Sequence, residues 1–316
     1  GKGYTRIIQS DGKGYYEYLP AVFIKKNIAH QTPDDRFIFK TKTGSINKYY
    51  AGTAVAMLPF FAAGYVKAGI SHDPQDGYSP PFQTAISIAG LFYLCIGLIF
   101  LARFLLMYNI KPATVCITLL LLVSGTNLLM YAVYHPSFSH IYSFAFVTMF
   151  LFYAKKFSDT RIQKFAVFLS LAFAMIVIIR PSNGIIIFML PFLTGSWTAL
   201  KDFFRAFFQL KKFIVSAFAF LMVISIQLIL WHIQTGSVIV WSYQNEGFYF
   251  LHPQILNVLF SFRKGWFVYT PLALLSLGGL FFIYRENKFR FCSITLFLLL
   301  MIYITASWWC WYYGPS

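Results

Sequence analysis

The residues able to do chemistry are gathered in a few short runs. The first is Ser10-Asp11-Gly12-Lys13-Gly14-Tyr15-Tyr16-Glu17-Tyr18-Leu19-Pro20, where two carboxylates stand among glycines and tyrosines. A carboxylate held beside an acceptor hydroxyl can take its proton as general base. The plainer reading of the same run is an interfacial loop anchored by its tyrosines, in which Asp11 caps a turn. The second run, Tyr134-His135-Pro136-Ser137-Phe138-Ser139-His140, sets two imidazoles five residues apart. Metal ligands on one helical face prefer a spacing of about four, so this is a poor metal pair. Ser139 reads as a helix cap and His135 as a loop residue. His140, just inside a membrane boundary, is the better functional candidate, because an unpaired imidazole is costly there.

Cations form the next group. Arg180, in Arg180-Pro181-Ser182-Asn183-Gly184, lies between two apolar runs with no aqueous loop to take its charge. Its guanidinium either snorkels to lipid phosphate or holds an anion. Arg263 and Lys264, in Ser261-Phe262-Arg263-Lys264-Gly265-Trp266, place two more cations at the entrance to an apolar run. An Arg in such a place can grip phosphate through two parallel N–H groups. Two aromatic runs follow: Trp241-Ser242-Tyr243-Gln244-Asn245-Glu246-Gly247-Phe248, and Trp308-Trp309-Cys310-Trp311-Tyr312-Tyr313-Gly314. Aromatic faces beside amide and carboxylate groups suit the C–H faces and hydroxyl edges of a sugar. An interfacial aromatic belt explains the same residues without any ligand.

These runs need apolar elements to hold them. The chain is 58% hydrophobic and 11% charged, with a mean hydropathy of +0.63. A soluble domain carries about 25% charged residues, so a water-soluble globule is excluded. The fold class expected is all-α, a polytopic helical membrane protein, since an apolar run of about 20 residues crosses the hydrocarbon layer as a helix. Eight spans are expected: Phe82 to Met107, Ala113 to Tyr131, Ser139 to Ala154, Phe165 to Ile179, Gly184 to Leu200, Phe213 to Trp231, Trp266 to Tyr284 and Phe291 to Trp309.

The linkers between the spans alternate in charge. Arg103 and Lys111; Lys155, Lys156, Arg161 and Lys164; Lys201, Arg205, Lys211 and Lys212; and Arg285, Lys288 and Arg290 fall on one side. The positive-inside rule makes that side cytoplasmic. The aromatic and Pro-rich loops 132–138, 232–265 and 310–316 fall on the other. The formal charge of +16 is therefore an orientation signal, and no nucleic-acid partner is expected, since the cations form no continuous face. The four cysteines lack metal or disulfide spacing.

Residues 82–316 thus form one membrane domain, preceded by an outer-face first loop, 1–81. Within that loop Ala51 to Gly69 is apolar but carries Pro59 and three glycines, which suits a broken, re-entrant or juxtamembrane helix. The basic character of residues 1–48 argues the other way, for a span. A first helix before Gly1 and a further C-terminal part are also expected. Asp159, Asp202 and Glu286 sit among cytoplasmic cations as simple partners. No acid lies mid-span, which disfavours an ion-coupled transporter built on a buried carboxylate relay.

Asp11-Gly12-Lys13-Gly14-Tyr15-Tyr16, Asp76-Gly77-Tyr78-Ser79, Ser139-His140, Arg180-Pro181, Arg263-Lys264-Gly265 and Trp311-Tyr312-Tyr313-Gly314 occur in that order. With these short patterns the chain resembles a GT-C membrane glycosyltransferase, and within that group the bacterial relatives of protein mannosyltransferases and of lipid A aminoarabinose transferase. The resemblance implies a GT-C-like bundle in the inner membrane. It implies transfer of a sugar, with inversion, from a polyprenyl-phosphate donor to a lipid, glycan or protein acceptor on the periplasmic face. An acid in the first outer loop serves such enzymes as general base, and Asp11 is the matching position. Glu17 and the Asp34-Asp35 pair compete for that role.

Arg180, Arg263, Lys264 and His140 are then the candidates to hold the donor phosphate. Tyr15, Tyr16, Tyr243, Gln244, Glu246, Trp311 and Tyr312 are the candidates to hold sugar or acceptor. Many relatives carry a further acid in the second outer loop, where this chain has none. No cofactor is therefore expected, and a divalent metal lacks support. The alternative function is a flippase or transporter of a lipid-linked or phosphorylated sugar.

Overall fold

The computed structural model describes residues 7–34 and 36–312, so Asp35, Tyr313 and Gly314 lie outside the described residues. The chain opens with two short helices, α1 (Ser10–Tyr16) and α2 (Tyr18–Phe23), and a small antiparallel hairpin. Its strands β1 (Ile38–Lys40) and β2 (Ser45–Asn47) pair Ile38 with Asn47 and Lys40 with Ser45. Helix α3 (Gly52–Ile70) then leads into α4 (Pro80–Leu106), which starts on two prolines, residues whose missing N–H groups and fixed φ suit a first turn. Two helices, α7 (Ser139–Thr160) and α8 (Gln163–Ile179), form a hairpin packed against α4. The hairpin in turn packs on α11 (Leu210–Thr235), and α3 lies along α4.

Four helices, α3, α4, α11 and α15 (Lys288–Ser307), are long and apolar enough to cross a membrane. They mark the chain as a helical membrane protein. Phe218, Leu275 and Phe282 are 70%, 75% and 71% exposed, a display that suits lipid and would be a liability in water.

The expected count of eight single-helix spans needs correction. Residues 113–131 are split into α5 (Pro112–Ser124) and α6 (Leu128–Val133). A Cβ on Gly125, at the break, would sit 1.9 Å from a Leu272 methyl, so the gap is held by a neighbour distant in sequence. Residues 184–200 are not one helix either. A 3-10 helix, Pro181–Met189, runs into α9 (Leu190–Thr194), and Gly195 turns the chain at φ +78 into the amphipathic α10 (Trp197–Phe207). Residues 266–284 are divided at Thr270-Pro271 between α13 (Trp266–Tyr269) and α14 (Leu272–Glu286), after the short α12 (Ile255–Phe260). The break expected in 51–69 is absent: α3 is continuous for 19 residues, and Pro59 sits on its exposed side.

Two cores stack along the bundle. One joins α1–α4 to α7, α8 and α11 through Tyr16, Met57, Phe61, Phe82, Tyr142 and Ile178. The other joins α4, α7, α8, α9 and α10 through Phe104, Phe150, Phe157, Leu193 and Phe203. A small satellite of Tyr15, Phe37, Ile38 and Tyr49 holds α1 to the hairpin. At the basic end the acids pair as the sequence suggests: Asp159 with Lys155 at 2.5 Å, Asp202 with Arg205 at 3.3 Å and Glu286 with Arg290 at 3.6 Å.

Candidate functional site

Helix α1 carries Asp11 in its first turn, and two glycines let it lie unusually close to its neighbours. A Cβ on Gly12 would be 2.0 Å from Ser137 Oγ, and one on Gly14 would be 2.5 Å from the Tyr49 ring. These glycines are packing surfaces. Ser137 Oγ donates to Ile7 O at 2.7 Å and Asn47 Nδ2 donates to Gly14 O at 2.7 Å, so α1 is fixed from both sides.

Gly52 does the same for α3. A Cβ there would be 2.5 Å from the Ile178 backbone, and the close approach brings the start of α3 to the end of α8. Arg180 follows immediately, in extended conformation, before Pro181 starts the 3-10 helix. Its half-buried guanidinium lies close enough to Tyr15, Tyr243, Tyr131 and Asp11 for each to act on its charge. Among the described residues Arg180 forms no ion pair, and neither does Asp11.

Aromatic rings surround these two groups. Tyr15 and Tyr49 lie 4.2 Å apart between centroids, and Tyr49 meets Tyr243 edge-on at 6.2 Å. His140 stacks on Tyr131 at 3.9 Å and feels the Arg180 charge. Burial pushes the Tyr15 phenol up, against the pull of the Arg180 cation beside it. Burial pushes Tyr49 up as well, reinforced by Tyr15 and by the Asp11 carboxylate within reach of its hydroxyl. Tyr243 is likewise raised, chiefly by burial. The phenols therefore stay neutral donors near a cation and a carboxylate that form no ion pair among the described residues.

The competing acids are engaged elsewhere. Glu17 is buried, pairs with Lys25 at 2.6 Å and accepts a very short hydrogen bond from the Tyr78 hydroxyl. Asp34 is clamped by Arg36 at 2.9 Å, and the hydrogen bonds from Arg36 hold its carboxyl below the usual range. Glu246 pairs with Lys48 at 2.9 Å and so ties the long loop to the hairpin. Ser242 Oγ reinforces that tie by donating to Lys48 O at 2.7 Å.

Several expected site residues lie away from the centre. Tyr16 is fully buried and its hydroxyl donates to Gly77 O at 2.5 Å, so it serves the core and not a ligand. Gln244 is exposed at a turn with φ 55. Arg263 is also exposed, and its guanidinium stacks 3.5 Å above the Tyr312 ring. Burial lowers the pKa of Lys264 beside it. Tyr312 meets Trp311 edge-on at 5.3 Å, so these four residues form a second group. Ser139 does not cap α7; its buried hydroxyl has no partner among the described residues.

Two residues at the centre, Tyr49 and Tyr131, are new. The Lys48-Tyr49-Tyr50 run was a visible signal for the first. An open apolar groove of about 390 Å³ begins at Pro181, the residue after Arg180, and is lined further by Ile185, Phe188, Phe250, Leu300 and Ile304. Among the described residues no three His, Cys, Asp or Glu side chains converge as metal ligands. Comparison with known proteins returns no matching family model, no matching curated protein and no matching solved structure.

Proposed function

We propose that this chain is a glycosyltransferase that moves a sugar from a polyprenyl-phosphate carrier to an acceptor on the non-cytoplasmic face of the inner membrane. The observation that carries this reading is the meeting of Asp11 and Arg180. They come from distant parts of the chain, sense each other's charge without pairing, and share a wall of neutral phenols. An acid and a cation that form no ion pair among the described residues suit an acceptor hydroxyl and a sugar phosphate respectively. The adjoining apolar groove suits the first units of a prenyl chain.

In this reading the acceptor hydroxyl gives its proton to the Asp11 carboxylate as its oxygen attacks the anomeric carbon. The bond from that carbon to the phosphate oxygen breaks on the opposite face, inverting the centre. The charge left on the phosphate is met by Arg180, a preorganised cation in a low-dielectric site. His140 on Tyr131 lines the phosphate side and Tyr15, Tyr49 and Tyr243 the sugar side. Arg263 and Lys264 do not enter this step.

The eight crossings belong to the same proposal, with the interrupted pairs α5–α6, 3-10 helix–α9 and α13–α14 each crossing once. Nine 3-10 residues at about 2.0 Å and five α residues at about 1.5 Å extend roughly 25 Å, near the hydrocarbon thickness. Helix α3 is read as juxtamembrane. It contacts α4 around Phe82 and Tyr93, and α7 meets α4 at Tyr93 through Tyr142.

The test is Asp11→Asn in membranes supplied with polyprenyl-phosphate sugar. Transfer should vanish while expression and insertion persist; retained transfer removes Asp11 from the mechanism. A cysteine at exposed position 10, in a chain stripped of its own cysteines, should react with a membrane-impermeant maleimide from the outer side. Reaction only after the membrane is opened would place the acid on the wrong face.

A further inference from the structure

Between the long loop and the end of α15 lies a cleft of about 370 Å³, lined by Tyr249, His252, Gln254, Trp308, Trp309 and Trp311. It is nearly the size of the groove that begins at Pro181, but its chemistry is opposite: indoles, an imidazole, an amide and a phenol instead of aliphatic and Phe side chains. We infer that this cleft is a saccharide subsite that holds the acceptor as a glycan. The word acceptor rests on the transferase reading; saccharide binding does not.

The cleft is a built feature. Tyr249 N donates to Ser307 O at 2.6 Å, Trp309 N donates to Gly247 O at 2.9 Å and Gln254 N donates to Ala306 O at 2.8 Å. Phe248 and Trp308 form an isolated antiparallel bridge. These bonds fix two segments whose side chains would otherwise splay apart, and they turn the rings into a concavity. An interfacial belt needs only rings held at the headgroup level and has no need of such main-chain ties between two segments.

Most polar edges of the residues lining the cleft are free: the Tyr249 hydroxyl, the His252 ring and the indole N–H groups of Trp308, Trp309 and Trp311 have no hydrogen bond to another described residue, whereas Gln254 Nε2 donates to His252 O at 3.5 Å and its Oε1 accepts from Asn257. Rigid rings with unspent polar edges give large contact area at low entropic cost. A lipid chain would leave those edges unpaired, whereas sugar hydroxyls pair with them. The cleft also borders the centre, since Trp308 meets the Tyr243 ring at 5.7 Å and Tyr243 flanks Arg180.

The test uses purified full-length chain in an amine-oxide detergent, since a maltoside would bring its own sugar, on an array of immobilised oligosaccharides. Wild type should bind at least one saccharide class. Trp309→Ala and Trp311→Ala should weaken that binding by about tenfold or more, as loss of a buried aromatic anchor does. Trp309→Phe should keep most of it, which separates loss of the ring from loss of folding. An array with no bound saccharide, or binding that survives removal of both indoles, overturns the subsite. Transfer without array binding would leave the transferase reading standing alone. Array binding with transfer unaffected by Asp11→Asn would leave the subsite standing alone.

Discussion

Gly12→Ala probes the seat of α1 without touching a charged group. The added methyl would lie 2.0 Å from Ser137 Oγ, 2.8 Å from Ser137 Cβ and 3.1 Å from the Phe138 ring. Ordinary contact begins near 3.4 Å, so either α1 retreats by about 1.4 Å or Ser137 gives way. Ser137 is fully buried, and turning its hydroxyl breaks the 2.7 Å bond to Ile7 O. Overpacking of this kind costs about 1–3 kcal/mol. Asp11 is the adjacent residue, and a misplacement of roughly 1 Å at a reacting group costs on the order of a hundredfold in rate. Thermal unfolding in detergent should show a lowered melting temperature, and reconstituted vesicles should lose most transfer. Gly12→Ala combined with Ser137→Gly should recover part of both, because the second change removes the two nearest atoms but also the bond to Ile7 O. A Gly12→Ala protein with wild-type melting and wild-type transfer would refute the claim that this contact positions the acid.

Three further outcomes follow from the same geometry. Arg180→Ala should lower transfer by roughly 10²–10³-fold with little change in melting, and Arg180→Lys should restore only part of it, as a point charge lacks the planar fork; equal activity for all three would end its role. Lys48→Met should leave the Glu246 carboxylate without its partner, at about 1–3 kcal/mol, and speed proteolysis of residues 236–254; Lys48→Met with Glu246→Leu should slow it again. Burial raises the folded pKa of Tyr15, Tyr49 and Tyr243 above the ordinary value of about 10. Their contribution to stability is then complete below pH 10 and falls as pH rises beyond it. Melting temperature should decline above that pH, less steeply in Tyr49→Phe, and phenolate absorbance should lag that of free tyrosine until the fold opens.

The helices that stand out in the sequence are those whose apolar length suffices by itself. Helices α4, α11 and α15 follow from uninterrupted runs, and the basic linkers announce where they end. Pro59 misled because a proline inside a helix costs one backbone bond and crowds one carbonyl. On the exposed side of α3, with the opposite side packed on α4 and α8, that cost is absorbed. The break at Gly125 was illegible for another reason: what opens it is Leu272, almost half the chain away. The hairpin passed unnoticed because its strands are three residues each, too short for an alternating pattern. That omission hid Tyr49, which reaches the site only because the hairpin folds back on α1. Asp11, Tyr15, His140, Arg180 and Tyr243 were legible from residue type and membrane depth. Tyr16, Arg263 and Lys264 were of the right type, but their positions depended on packing that no local pattern records.

The stretch from Pro181 to Thr194 works as a calibrated tie-rod. Its lower clamp is the start of α15, where Asn287 Nδ2 donates to Gly195 O at 2.9 Å and Arg290 Nε donates to Phe192 O at 3.3 Å. Its upper end is Arg180. Each 3-10 residue contributes about 2.0 Å and a third of a turn, against about 1.5 Å in an α-helix. Deleting one residue would therefore drag the guanidinium by about 2 Å and swing it out from among the phenols. Rewinding all nine residues as α-helix would draw it in by roughly 4.5 Å with no change of composition.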